Sequence, residues 1–375
     1  MNGGGEQAGM PWDATRIPEL CVRRAEWLRG EGEASDVVMS SRVRLARNLD
    51  GVKFMPRAER GERDRVLGLC KAAILDSELS PRMLWVDLHT TGKAERQLLV
   101  ERQLISRPHA RGKLSTGSGG TEEPRGVAVG LPEEQFAIMV NEEDHLRIQA
   151  LRGGSDIDAA FQQVRGTDLI LEQQLDFAFS DRWGYLAVCP TNVGTGIRFS
   201  IMVHLPGLRI TNELGKVRRA AKELHLAVRG YYGEGSESLG NIFQISNQVT
   251  LGSTEEDIRD IFTERIMPAL IDYERSARQV LLKRNPTLLD DRVHRALNIL
   301  RSARLLKVEE AMKLISRVRL GACLDRLDVP LHRLDDLFIQ IQPAHLRQHV
   351  NCTLNDEEEL EIRASLVREV LKDAD

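Results

Sequence analysis

Strand-like and helical segments intermingle up to about residue 253 and helices alone follow, which predicts a mixed helix-and-strand fold with an all-helical C-terminal region. The strand signal is clearest in Phe136-Ala137-Ile138-Met139-Val140, a short apolar run of the kind that forms a buried strand. A second strand signal comes from the β-branched residues of 37–48. The helical signal is clearest over 255–283, 290–304, 308–321 and 356–372, where apolar positions recur at helical spacing.

At 375 residues the chain exceeds one average core. Two folded domains are expected, over 36–267 and 268–375, behind a tail with a short helix over 1–35. Charged residues make up 29% and the net charge is −4, with arginine supplying most of the positive charge. That balance excludes a general basic surface for nucleic acid, so any basic site must be local. No apolar run is long enough to span a bilayer and 1–12 lack a secretory signal pattern, so a cytoplasmic protein is expected. Cys21, Cys70, Cys189, Cys323 and Cys352 are widely spaced and include no Cys-x-x-Cys pair, which speaks for free thiols and against a zinc site.

In chain order, the glycine-rich stretch 2–9 is expected to be disordered, and a short helix over 18–29 ends at Gly30 and Gly32. The strand over 37–48 puts Arg42 and Arg44 on one face by period-two alternation. Those arginines suit either a solvated edge or a grip on phosphate oxygens. Val66, Leu69, Ala73 and Ile74 mark an amphipathic helix within 57–79, with Cys70 as a core thiol. A second helix over 94–104, a loop over 107–125 and a strand pair over 127–130 and 136–140 come next. Residues 156–179 read as one long helix with Ile157, Phe161, Val164, Leu169 and Leu175 inward and Gly166 as a point of kinking. Further strands are expected over 185–188, 199–205 and 241–247.

Three motifs are dense in chemistry. Asn141-Glu142-Glu143-Asp144-His145-Leu146-Arg147 follows directly on the apolar run. If the strand continues through Ile148, alternation sends Glu143, His145 and Arg147 to one face and Glu142 and Asp144 to the other; the alternative is a polar strand end or a hairpin. Cys189-Pro190-Thr191-Asn192-Val193-Gly194-Thr195-Gly196-Ile197-Arg198 joins two strands, and its glycines permit positive φ and close backbone approach. It lacks the Gly-Lys-Ser/Thr of a Walker loop. Arg229-Gly230-Tyr231-Tyr232-Gly233-Glu234-Gly235-Ser236-Glu237 suits either a lid or an exposed turn.

In this order, together with Ser40-Ser41-Arg42-Val43-Arg44-Leu45-Ala46-Arg47-Asn48, these motifs resemble the ATP:guanidino phosphotransferases, the phosphagen kinase superfamily. The closer resemblance is to the bacterial protein arginine kinases. Only residues 1–36 precede the first arginine strand, where kinases of free creatine or arginine carry a helical domain. The tail segments Ala311-Met312-Lys313-Leu314-Ile315-Ser316-Arg317-Val318-Arg319-Leu320-Gly321 and Gln342-Pro343-Ala344-His345-Leu346 look like that branch. The resemblance covers 36 to the C-terminus and implies an α+β fold, an antiparallel sheet flanked by helices, before the all-α domain.

It also implies transfer of the ATP γ-phosphoryl group, with Mg2+ on the phosphates, to arginine side chains of proteins. The implied nucleotide contacts are Ser40, Ser41, Arg42, Val43, Arg44, Arg147, Arg198, Phe199, Ser200, Ile201, Met202, Arg229, Gly230, Tyr231, Tyr232, Gly233 and Glu234. Glu143 matches the catalytic glutamate, Glu234 or Glu237 the second carboxylate, and Cys189 the cysteine whose thiolate faces the substrate guanidinium. The implied partners are client proteins with exposed arginines, among them a stress repressor, a Clp-type chaperone subunit and an activator protein, with a homodimer formed through the C-terminal domain. A kinase of a free guanidino metabolite and a catalytically silent adaptor are the rival readings.

The chain departs from the pattern at two places. Arg125-Gly126 stands where many relatives carry His-Gly near the nucleotide. The phosphoarginine-sensing motif falls on Glu359-Leu360-Glu361-Ile362-Arg363-Ala364, where only Arg363 and Ala364 match and an acid replaces an arginine, so sensing is expected to be weak or absent.

Overall fold

A computed structural model describes residues 14–29, 32–112, 120–231 and 239–373. The glycine-rich stretch 2–9 lies outside these residues. In chain order the elements are β1 (Val38–Arg47), α1 (Arg60–Asp76), β2 (Arg82–Asp87), α2 (Lys93–Glu101), α3 (Arg107–Arg111), β3 (Gly126–Leu131), β4 (Phe136–Val140) and β5 (Leu146–Gly153). They continue with α4 (Ile157–Glu172), β6 (Phe179–Ser180), β7 (Gly184–Tyr185), β8 (Ile197–His204), α5 (Pro206–Ile210), α6 (Leu214–Glu223), β9 (Leu226–Gly230) and β10 (Ile242–Asn247). Helices follow: α7 (Glu255–Asp260), a π turn (Ile261–Ile266), α8 (Met267–Arg284), α9 (Pro286–Ser302), α10 (Val308–Cys323), α11 (Leu331–Gln340), α12 (Pro343–Val350) and α13 (Asp356–Val370).

Eight strands form one sheet in the order β2-β3-β4-β5-β1-β8-β10-β9, and every neighbouring pair is antiparallel. The expected α+β class follows from this sheet and its helices. Alternation gives the sheet two unlike faces. On one, Val43, Leu45, Phe199, Ile201, Ile245 and Ile148 pack against α1, α4 and α8. The other is divided: Val127, Val129, Ala137 and Met139 lie under α2, while Met39, Leu151, Met202 and Ile242 lie under the C-terminal helices and Trp27. Between these two apolar patches the same face is cationic.

Several expectations need correction. The helix over 18–29 is two 3-10 stretches, Ala14–Val22 and Glu26–Leu28; Pro18, which has no N–H to donate, sits within the first. The loop over 107–125 opens with α3, capped by the Ser106 hydroxyl, which accepts from the His109 amide at 3.1 Å. The helix over 156–179 ends at Glu172, Gly166 sits inside it without a break, and Leu169, like Leu69 in α1, faces solvent. Helices α11 and α12 lie between the expected ones, α12 starting at Pro343 in the position proline favours.

Buried ions join the helical region to the sheet. Arg319 is fully buried, with Nε donating to Asp335 at 2.7 Å and Nη1 reaching the Asp36 carbonyl at 2.9 Å and His204 Nδ1 at 3.1 Å. At the far end, Glu101 of α2 accepts from the backbone amides of Ala344 and His345 at 3.0 and 3.2 Å, which stabilises the N-terminus of α12.

Candidate active site

The cationic face is built by register. Arg44 of β1 lies opposite Gln149 of β5 and Arg198 of β8, and Arg42 lies one alternation further along the same face. Arg229 of β9 lies opposite Gln244 of β10, and Arg147 of β5 opposite Ala46. Five guanidinium groups thus project from four strands into one cleft of about 890 Å³, which Glu143, Cys189, Tyr231 and residues of α2 and α3 also line.

Crowding is costly. Burial first, and then the fields of Arg147, Arg198 and Arg229, push Arg42 down to about 9. Burial and the neighbouring arginines hold Arg44 well below its ordinary value, and Arg198 is lowered for the same reasons. Arg147 differs: burial would lower it, but the Glu142 carboxylate, 2.8 Å from its Nη1, raises it. The face also holds buried donors with no partner among the described residues: Arg44 Nε, Gln244 Nε2 and the Ser246 hydroxyl. Such groups cost free energy until an acceptor arrives. An anion with several oxygens would satisfy the donors and relieve the repulsion together.

The acid motif is a hairpin turn, and the strand does not continue through it. Asn141 takes φ of 60°, its amide donates to the His145 carbonyl at 2.9 Å, and the chain reverses into β5. Reversal brings Glu142 to Arg147, where straight alternation puts them on opposite faces. Burial would raise the Glu142 carboxyl, but Arg147, His109 and the Ser106 hydroxyl hold it down at about 2. Glu143 donates its amide to Glu142 at 2.9 Å, leaving its carboxylate to the cleft. Burial and the flanking Glu142 and Asp144 raise the Glu143 carboxyl above its usual range.

Asp144 ties the turn to the cysteine loop. Its Oδ1 accepts from Asn48 Nδ2 and from the Val188 amide, each at 2.7 Å, fixing the backbone next to Cys189. His145 is structural: Nδ1 accepts from the Leu49 amide at 3.0 Å and Nε2 meets the Lys53 carbonyl at 3.1 Å. Cys189 Sγ lies 3.1 Å from the Thr191 hydroxyl, and Arg198 lies within electrostatic reach of both Cys189 and Glu143. Gly194 (φ 111°) and Gly196 (φ 69°) are required where a Cβ would come within 2.5 Å of the Thr250 carbonyl and 2.7 Å of the Ala46 carbonyl. Their close approach is to this chain's own backbone.

The description "ATP:guanido phosphotransferase, C-terminal catalytic domain" matches residues 68–277, and "Protein-arginine kinase McsB C-terminal domain" matches 286–375. A protein-arginine kinase of Halothermothrix orenii is 40% identical over 92% of this chain and 95% of its own length. One of Symbiobacterium thermophilum is 42% identical over 92% and 97%. The chain belongs to the ATP:guanido phosphotransferase family, in its protein-arginine kinase branch. Its fold is shared with solved structures: a lombricine kinase superposes with TM-score 0.55 at 25% identity, over 73% of this chain and 74% of that one. A taurocyamine kinase of Schistosoma mansoni, solved with transition-state analogue components, gives TM-score 0.57 at 24% identity over 64% and 33%.

Of the residues that the family pattern brings to the nucleotide, Arg42, Arg44, Arg147, Arg198, Arg229 and Tyr231 line the cleft, with Glu143 and Cys189. Val43, Phe199 and Ile201 do not; alternation turns them into the helix-side core. Ser41 is buried with its hydroxyl on the Gly154 carbonyl, Ser200 donates to the Arg42 carbonyl, and Met202 packs under the C-terminal helices. Ser40 and Gly230 are buried in β1 and β9 outside the cleft lining. Tyr232, Gly233, Glu234 and Glu237 lie outside the described residues, as does the lid reading of their loop. Arg125 is buried, its guanidinium spent on the carbonyls of His109, Thr121 and Glu123 at 2.7 to 2.9 Å. Among the described residues no cluster of three His, Cys, Asp or Glu side chains could hold a metal. Residues absent from the family-based expectation are Glu142, Gln103, Gln149, Gln244 and the α3 residues Arg107 and Arg111. The Ser-Arg-Pro start of α3 is a helix-start signal that could have found the last two.

The Glu142–Arg147 pair yields a pH prediction. A carboxyl held below its unfolded value near 4.3 adds stability that is complete above that pH and lost as pH falls toward 2. Glu142→Gln should therefore be less stable than wild type by on the order of 3 kcal/mol at pH 6, with the gap closing between about pH 4 and pH 2. Urea denaturation across that range checks this; a gap independent of pH would exclude the ion pair as its cause.

Proposed function

We propose that the chain transfers the γ-phosphoryl group of ATP to the guanidinium of arginine side chains in proteins. The observation that supports this most is the lining of the cleft: five arginines and the Gln244 amide as one set, and the Glu143 carboxylate with Cys189 as the other. The first set suits a triphosphate and the second a cation.

Phosphoryl transfer to a guanidinium has two difficulties, the charge on the phosphates and the proton on the nucleophile. Arg42, Arg44, Arg147, Arg198 and Arg229 meet the first, spreading over the oxygens as charge moves from γ- to β-phosphate. Mg2+ arriving with the nucleotide would supply charge neutralisation there; Glu142 and Asp144, already committed to Arg147 and to the Asn48–Val188 pair, would not be its ligands. Glu143 meets the second. Its carboxylate orients the substrate guanidinium and accepts one Nη proton as that nitrogen bonds to the γ-phosphorus and the bond to the β–γ bridging oxygen breaks. Its upward shift makes it a stronger base than an ordinary glutamate. In this reading Cys189 faces the guanidinium as a stabilising thiolate, and the second carboxylate is Glu234 or Glu237. Magnesium, the cytoplasmic setting, the client and activator proteins and dimerisation through residues 268–375 belong to the same proposal.

With Mg-ATP and an arginine-rich protein, mass spectrometry under mildly basic conditions should find phosphoarginine on the protein and none on free arginine. Glu143→Gln should lower kcat by about 10²–10⁴-fold and change the ATP KM little. Phosphorylation of free arginine alone would move the assignment to a metabolite kinase, and no transfer in either reaction would favour the adaptor or a missing activator protein.

In the same reading the tail motif at 359–364 senses phosphoarginine weakly or not at all. Arg363 is buried, its Nε and Nη1 bound to the carbonyls of Ile341 and Leu306 at 2.8 and 2.9 Å. Glu359 takes Arg347 at 2.6 Å and would repel a phosphate. Millimolar phosphoarginine should leave the kinase rate unstimulated; stimulation that Arg347→Ala removes would contradict this.

A further inference from the structure

We infer that Arg47 is a positioning residue for the acceptor side of the cleft: from behind the sheet it holds the loop that presents Cys189 and Arg198. The inference rests on the kinase reading above and adds to it a residue outside the cleft lining. Alternation along β1 turns Val43, Leu45 and Arg47 toward the helices, so the pattern calls for an aliphatic side chain at 47. In its place stands an arginine only 1% exposed. A cation buried on that face costs desolvation and needs partners to offset it.

Those partners lead to the loop. Pairing between β1 and β8 runs to Leu45 and Ile197, and the Ala46 amide still donates to the Gly196 carbonyl at 3.0 Å. There the Arg47 side chain takes over, its Nη1 donating to the Thr195 carbonyl at 2.9 Å and to the Ala46 carbonyl at 3.0 Å. Nε and Nη2 donate to Asp168 of α4 at 3.1 and 2.7 Å, and Glu255 of α7 lies 3.8 Å from Nη2. The guanidinium also covers the Tyr185 ring, 3.5 Å from its centroid, and Tyr185 exchanges backbone hydrogen bonds of 2.8 and 3.2 Å with Gly194. A Cβ on Gly196 would fall 2.8 Å from Arg47 Nη1, so this glycine lets the guanidinium lie against the loop.

Consecutive residues thus anchor the loop at both ends. Asn48 donates to Asp144 at 2.7 Å and to the Leu186 carbonyl at 3.0 Å, on the stretch before Cys189. Arg47 holds Thr195 directly and Gly194 through Tyr185, on the stretch after it. Between the anchors Cys189, Thr191 and Asn192 line the cleft, and Arg198 follows in β8. The rigid fork of a guanidinium binds a carboxylate along one edge and carbonyls along another, a set that the compact ammonium of lysine does not span. Position 47 therefore requires arginine, and what it serves is the shape of the loop.

The test compares the full chain with the double variant Arg47→Met/Asp168→Leu, which replaces the ion pair by apolar side chains, and with Arg47→Lys, which keeps the charge beside Asp168. Both should keep the ATP KM and triphosphate binding within about twofold of wild type while kcat on an arginine-rich protein falls by about 10–100-fold. Amide exchange at Tyr185, Gly194 and Thr195 should quicken on the order of tenfold, with β3 to β5 unchanged. Full kcat in either folded variant, or faster exchange spread evenly over the sheet, would overturn the inference. If the double variant does not fold, Arg47→Lys carries both readouts. Absence of transfer by wild type would overturn the kinase reading instead, and the exchange rates alone would then decide whether Arg47 holds the loop.

Discussion

Five guanidinium groups on one face of one sheet repel each other, and much of the surrounding structure serves to hold them there. Antiparallel register puts Arg44 beside Arg198 and Arg42 one step along, and the core behind β1 and β8 gives neither strand freedom to twist away. Arg147 has a buried carboxylate partner in Glu142, while Arg42 has the Gln103 amide oxygen at 3.4 Å. Arg44 keeps a buried Nε with no acceptor among the described residues. The cost of assembling the cations is met by folding, and a polyanion bound there would recover it.

The acceptor side is positioned from the same strands. Asn48, the residue directly after β1, donates to Asp144 and accepts from the His145 amide at 3.0 Å, so the strand that carries Arg42 and Arg44 also fixes the acid turn. Asp144 passes the constraint to Val188 and hence to Cys189. Beyond their apolar packing on the sheet, the C-terminal helices reach this assembly through Arg319 against His204 at the end of β8 and through α12 against Glu101. Glu101 is two residues before Gln103, which lies against Arg42, so α12 has a short covalent path to the arginine face.

Period-two alternation along 37–48 was enough to place Arg42 and Arg44 together, because a strand in the middle of a sheet admits no other arrangement. The same rule failed at 141–147. Asn141 adopts positive φ there and turns the chain, and a left-handed asparagine in a run of acids carries no signature apart from its identity. Glu142 therefore read as facing away although it pairs with Arg147. Alternation also identifies Val43, Phe199 and Ile201 as core, whereas the family pattern names whole segments without regard to face. Glu143 and Cys189 were singled out by residue type and motif, but their common orientation depends on Asp144, whose contacts span 96 residues to Asn48 and 44 to Val188. Contacts of that separation leave no local trace in a sequence.

Thermal unfolding with inorganic triphosphate, without metal or nucleoside, tests most directly whether the arginine face is a preorganised polyanion site. Triphosphate should raise Tm by several degrees at low ionic strength, with the shift shrinking as salt rises and lost in Arg44→Met. No shift, or one that Arg44→Met retains in full, would contradict the account, because the repulsion among these side chains would then not be what the ligand relieves.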